Sequence, residues 1–281
     1  MPDRLGLVWR LRDSVSAAAP GKDNEDTWGA YGSLAWVIDG ATPLGYTRQP
    51  DRPSPVREFA AGVSRALAQL AREADISTDL SFVLKQGVAN EATVTDASHP
   101  PHAAVGLVCE DGSLLTYALL ADVFVVVGRD ASTVVVDGRM TPVNQEGNDA
   151  LAAELARGLS FAEAQQRIQP LLIAQRRERM NRGRDDAYWT LTPDPDTALH
   201  AVQGSMPRPA GTPVLICSDG FARLVVDAGA YTWPELIDAA YTKGLAALVA
   251  ELRELEDGDP ADGDGFLRIS CHDDATAVLL E

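Results

Sequence analysis

The sequence predicts an α+β domain built on antiparallel sheet. Three observations predict it: two successive hairpin signals mid-chain, helical periodicity in the segments around them, and strand-like runs near both termini. Strands at both ends must return to one core, which favours a single interwoven domain over an alternating strand-helix chain.

The elements follow in order. Leu7-Val8-Trp9 is a short apolar run read as a first strand, and Ala17 to Asp26 is small, polar and loop-like. Leu34 to Ile38 is a second strand, ending at Asp39, with a Pro-rich loop from Pro43 to Pro55. Val56, Phe59, Ala60, Val63, Leu67 and Leu70 fall on one helical stripe, and a second helix covers Leu80 to Ala92. Ala104 to Cys109, the turn Glu110-Asp111-Gly112-Ser113, and Leu114 to Leu120 read as a hairpin. Phe124 to Val127 and Thr133 to Val136, turning around Arg129-Asp130, read as another.

Helices are expected at Asn148 to Arg157 and Ser160 to Met180, parted by Gly158. Asp185 to His200 reads as irregular. Then come a strand at Val214 to Cys217 and helices near Trp233 to Tyr241 and Gly244 to Leu255. The acidic, Gly-rich stretch Glu256 to Gly265 reads as an exposed loop, its spacing wrong for an EF-hand. Phe266 to Ser270 and Ala275 to Leu280 read as a closing strand pair.

With 281 residues the chain can bury a full core, and 46% hydrophobic with 23% charged residues is ordinary for a globular protein. No apolar run is long enough to span a bilayer and no secretory leader is visible, so a cytoplasmic location is expected. Cys109, Cys217 and Cys271 show neither metal spacing nor a disulfide framework and read as reduced core thiols. The net charge of −17 argues against nucleic acid as a partner.

Four acidic clusters stand out: Asn24-Glu25-Asp26, Asp39-Gly40, Ser218-Asp219-Gly220 and Asp273-Asp274. Carboxylates at the ends of buried strands are held rigidly while still reaching water, as a hydrolytic metal site requires. Each motif alone is weak, since Asp-Gly pairs mostly mark turns. Oxygen donors without a His or Cys cluster select Mg²⁺ or Mn²⁺ over Zn²⁺.

With Ala121-Asp122 added, and in this order along the chain, the clusters resemble the PPM family, the metal-dependent Ser/Thr protein phosphatases of type 2C. The likeness covers nearly the whole chain as a single domain, 1–281, with a flap-like insertion at about 158–205. It implies a sandwich of two antiparallel sheets flanked by helices, in αββα layers, with the metal cleft at one end. Asp39 would bridge two ions; Glu25 and the carbonyl of Gly40 would complete one, Asp219 and Asp273 the other. Asp26 would hold the attacking water, and Asp122 would help bind a looser third ion. The implied reaction is hydrolysis of phosphoserine or phosphothreonine in a protein.

Two departures bear on the substrate. Where the family usually places an Arg to grip the phosphate, this chain has Gly21, with Lys22 beside it as a substitute point charge. Where many members have a general-acid His after the bridging Asp, it has Ala41, then Thr42. His99, His102 and His272 are candidate replacements; the first two, beside prolines, read as loop residues. These losses leave two alternatives: a small-molecule or nucleotide phosphatase, and a pseudophosphatase that captures a phosphorylated partner. The Arg-rich segment Arg176 to Arg184 reads either as a solvated helix end or as a recruiter of anionic substrate, with Tyr188 and Trp189 packing it onto the body.

Overall fold

A computed structural model describes residues 9–42, 54–73, 79–91, 99–130, 132–258 and 266–281. Among them are ten strands: β1 Leu11–Ala17, β2 Thr27–Tyr31, β3 Leu34–Ala41, β4 His102–Asp111, β5 Leu114–Leu120, β6 Phe124–Val127, β7 Thr133–Val135, β8 Val202–Pro207, β9 Val214–Cys217 and β10 Ala275–Leu280. The helices are α1 Pro55–Glu73, α2 Leu80–Ala89, α3 Thr141–Leu155, α4 Phe161–Arg179, α5 Asp219–Val226, α6 Trp233–Lys243 and α7 Leu245–Gly258, with a 3₁₀ turn at Pro195–His200.

The strands form two five-stranded antiparallel sheets, ordered β1-β10-β9-β6-β7 and β2-β3-β4-β5-β8. The terminal strands are partners: Leu11 lies opposite Leu280 and Ala17 opposite Ala275. The two ends of the chain therefore close one sheet.

Alternation along the strands explains the layers. In β3, Leu34, Trp36 and Ile38 pack with Phe59, Leu67 and Leu84 of α1 and α2. Ala35 and Val37 face the other way, toward Val125, Ile216 and Val278 of the second sheet. In β10, Ala277 and Leu279 meet Phe221, Leu236 and Leu248 of α5, α6 and α7. Both faces of the central strands are buried, so they appear in sequence as unbroken apolar runs. The layers are thus helices, sheet, sheet, helices.

Several expectations need correction. Of the strand expected at Leu7-Val8-Trp9, only Trp9 is described, and it precedes the true strand, β1. Strands β2 and β8 and helix α5 fall where none was expected. Phe266 to Ser270 is not a strand; β10 pairs with β1 and β9 instead. The acidic loop starts later than expected, since α7 runs to Gly258; 259–265 and the Pro-rich loop 43–53 lie outside the described residues. Of the three thiols only Cys217 is in the core; Cys109 is half-buried and Cys271 exposed. No helix among the described residues is long and apolar enough to cross a membrane.

Candidate metal centre

Antiparallel register brings the acidic clusters to one end of the sandwich. Asp39 lies opposite Ala104 and Ala41 opposite His102, so β3 ends where β4 begins. Thr27 pairs with Ile38, which sets Glu25 and Asp26 beside that end. Ala277 pairs with Cys217, which sets Asp219 beside Asp273 and Asp274. In register, Asp39 continues the face of Ala35 and Val37, so it emerges between the two sheets.

There it meets a cavity of ≈ 340 Å³ lined by Lys22, Glu25, Asp39, Gly40, Asp122, Asp219, Asp273 and Asp274. Of the residues to which the resemblance gives a metal-binding, water-holding or phosphate-binding role, only Asp26 does not line it. Asp26 is buried just behind, 7% exposed, with no hydrogen-bond partner for either carboxylate oxygen.

The glycines of the two Asp-Gly pairs are not turn residues, since Gly40 lies in β3 and Gly220 in α5. They are places of close approach. A Cβ on Gly40 would lie 2.5 Å from the carbonyl of Glu25, and one on Gly220 would lie 2.0 Å from that of Asp274. Gly220 sits in the first turn of α5, so Asp219 is displayed by a helix N-terminus, where the dipole favours an anion.

Burial holds these carboxyls against ionisation. Asp26 is pushed up to about 7, first by desolvation and then by Asp274. Asp39 and Asp219 are raised well above the usual carboxylate range by desolvation and by their acidic neighbours, close enough for one to hydrogen-bond the other. Asp122 is raised by desolvation, partly offset by the Asn144 amide at 3.4 Å. Glu25 is raised by burial too, while Thr42 Oγ1 donates to it at 2.6 Å and Ser54 donates to its other oxygen. Such a cluster is costly without cations.

Several neighbours had little or no signal in the sequence. Asp274 accepts from the backbone N–H of Ala19 at 2.7 Å and of Glu25 at 2.6 Å, pinning the Glu25 loop to β10. Arg223 donates to Asp273 at 2.9 Å from α5. Ala121, at φ 59°, turns the chain so that Asp122 enters the cavity; the buried carboxylate of Asp137 accepts its N–H at 3.3 Å.

The histidines separate. His102, the first residue of β4 rather than a loop residue, lines the cavity and is lowered to about 4 by burial and by Arg176, so its ring is neutral near pH 7. His99 lines only a second cavity, of ≈ 940 Å³, which shares His102, Arg176 and Met180 with the first. His272 faces Asp257 at 2.8 Å. Tyr188 is buried against the first cavity, and Trp189 stacks on His200 at 3.3 Å beside the second.

As they stand, no three His, Cys, Asp or Glu side chains among the described residues converge to hold an ion. The donors nonetheless suit Mg²⁺ or Mn²⁺ in kind. All are oxygens, most are carboxylates, and those of Asp26 lack any partner.

No family model matches the sequence, and no curated protein matches it. Solved structures do. The Mycobacterium tuberculosis Ser/Thr phosphatase PstP/Ppp superposes with a TM-score of 0.54 at 16% identity, over 98% of this chain and 99% of that one. The photosystem II phosphatase PBCP gives 0.59 at 14% identity, over 96% and 97%. Stp1 of Staphylococcus aureus gives 0.51 at 11% identity, over 100% and 98%. One structure of the PstP catalytic domain, with a TM-score of 0.54 at 16% identity over 98% of both chains, is a complex with 2 manganese ions. The chain has the fold of the PPM Ser/Thr phosphatases.

Proposed function

We propose that this chain, folded as the PPM phosphatases are, is a metal-dependent phosphomonoester hydrolase acting on phosphoserine or phosphothreonine in a protein. One observation carries the reading. Asp39, Asp122, Asp219 and Asp273 come from four separate stretches to line one cavity, and the first three are held there with carboxyls raised by burial. A cluster that costs stability and touches solvent is explained by cations it is built to bind.

The ligands would be Glu25, Asp39 and the Gly40 carbonyl for one ion, Asp39, Asp219 and Asp273 for a second, with Asp122 toward a third. When bound, divalent ions supply Lewis acidity toward phosphoryl oxygens and a water that ionises near neutral pH. The chain's own residues do the rest. Asp26, unpartnered, raised to about 7 and in electrostatic contact with Asp39 and Asp274 of the lining, would accept a proton from a water held between them. Lys22 lines the same cavity and offsets the substrate's charge. The balance is one water consumed, the substrate P–O bond broken, and an alcohol and inorganic phosphate released. We read the chain as one domain acting in the cytoplasm, with a flap at about 158–205.

The protein substrate is favoured over a small molecule by the second cavity. It shares the lining residues His102, Arg176 and Met180 with the first, and so would offer room beside the site for the chain around a phosphorylated residue.

The test is p-nitrophenyl phosphate hydrolysis by the purified chain with and without Mn²⁺, with Asp219→Asn as control. Turnover that needs Mn²⁺ and is lost in the variant is expected; turnover unaffected by either refutes the assignment. Phosphopeptides and phosphometabolites, compared per active site, then decide the substrate class.

A further inference from the structure

We infer that Arg176, the first residue of the Arg-rich segment, is the residue that grips the substrate phosphate. The inference rests on the phosphatase reading of the cavity and names the group that reading lacks.

The cavity presents a problem of charge. A phosphate monoester carries close to two negative charges at pH 7 and must settle among carboxylates. The lining residues include two cationic side chains, Lys22 and Arg176. Lys22 is an exposed point charge on the loop that follows Gly21. Arg176 is half-buried on α4 and carries a planar fork able to bond two phosphoryl oxygens at once.

The partners within the segment divide it by task. Arg179 bonds Glu146 at 3.0 Å and lies 3.5 Å from Asp186; Arg184 bonds Asp186 at 2.9 Å. Gln175 bonds Glu146 at 2.8 Å. These contacts tie the end of α4 to α3 and to the following loop. Arg176 forms no ion pair among the described residues; its one hydrogen bond is to the Thr42 carbonyl at 3.3 Å. Thr42 also donates to Glu25, so that single bond parks the guanidinium beside the acid cluster. Its charge is felt at Asp122, His102 and Tyr188, three separate walls of the cavity. A free fork on an anchored helix, facing acids it does not bond, is placed for an anion between them.

A bland role is countercharge to the carboxylates, and the two roles differ in what they move. The measurement is calorimetric titration of the full chain, in Mg²⁺, with inorganic phosphate. It is paired with kcat and KM on p-nitrophenyl phosphate, for wild type, Arg176→Ala, Arg176→Lys and Lys22→Ala. Arg176→Ala should weaken phosphate about tenfold or more, the loss of a charged hydrogen-bonded pair. It should raise KM in step while kcat changes less, and leave the melting temperature and Mn²⁺ affinity unchanged. Arg176→Lys should recover part of the loss, and Lys22→Ala should lose less than Arg176→Ala.

Phosphate affinity within about twofold of wild type in Arg176→Ala overturns the inference even if the enzyme is active. A shift in Mn²⁺ affinity alone makes Arg176 countercharge and overturns it too, as does a wild type that binds no phosphate. Arg176-dependent phosphate binding without hydrolysis upholds it and removes the phosphatase reading instead.

Discussion

Glu256 and Asp39 are both carboxylates enclosed by the protein, yet their surroundings are opposite. Glu256, 3% exposed, accepts from Arg223 at 2.9 Å and from Arg253, while Arg268 donates to its backbone carbonyl at 3.1 Å. Glu110 and Arg208 form another enclosed pair, the guanidinium lying over the Trp9 ring at 4.7 Å. Asp39 faces Asp26, Asp219, Asp122 and Asp273, and no cation contacts it among the described residues. Where buried charge is structural, this chain supplies counter-ions from its own side chains. At the cavity it withholds them, although Arg223 touches both sets, bonding Glu256 and Asp273. The difference is the one expected between a cation-binding site and scaffolding.

The contrast breaks most visibly at its structural pole. Glu256→Ala takes a carboxylate partner from the buried Arg223 and the half-buried Arg253 and should cost about 3–5 kcal/mol in a denaturant unfolding experiment. At the other pole the sign reverses. Asp39→Asn replaces a carboxyl whose ionisation is opposed by burial and by its neighbours, so the metal-free protein should be no less stable, or more so. Metal-dependent turnover, however, should fall beyond the roughly 10–100-fold typical of losing only an outer-shell partner. A variant that unfolds like Glu256→Ala would show that Asp39 is structural after all.

A pH titration sharpens the same point. Asp26 has an ordinary value of 3.8 and is raised to about 7 in the fold. Between those values the folded state binds more protons than the unfolded one. Stability in chelator should therefore fall as pH rises through that window, the penalty being complete above it. Asp26→Asn should flatten the fall in part, since Asp39 and Asp219 share the direction. Added Mn²⁺ should flatten it more. A melting temperature that rises with pH from 4 to 7 in chelator would contradict the burial of unpaired acid.

The sequence shows the centre of this molecule more clearly than its rim. β3, β4, β9 and β10 are buried on both faces and stand out as apolar runs. The strands missed, β1, β2 and β8, are three of the four sheet edges. They carry Arg, Asp and Ser in β1, and in β2 and β8 glycines covered by a neighbour's ring. A Cβ on Gly29 would meet the Trp36 indole at 2.3 Å, and one on Gly204 the Tyr117 hydroxyl at 2.2 Å. Glycine that reads as a breaker is there a seat for a cross-strand aromatic. Gly220 hid α5 for a related reason. The cavity carboxylates were legible because they end apolar runs. Asp274 was not legible as a backbone clamp, and the Arg-rich segment was legible as a recruiter of anions but not in which of its Arg reaches the cavity, since both depend on tertiary approach.

The smallest effect tests what decides the value of a charge pair here. Lys85 and Asp196 approach to 2.6 Å, closer than Arg223 and Glu256 at 2.9 Å, but their side chains are 34% and 69% exposed. If distance governed, Lys85→Ala would be the costlier change. Solvent screening and the entropy of holding two long side chains argue otherwise, and Lys85→Ala should cost less than about 1 kcal/mol. The loss should shrink further as salt is raised, whereas that of Glu256→Ala should barely respond, because its partners are shielded from ions. Unfolding both variants across a salt series separates the explanations. Equal costs would mean that burial does not distinguish the two kinds of charge, and the contrast that singles out the acid cluster would lose its physical basis.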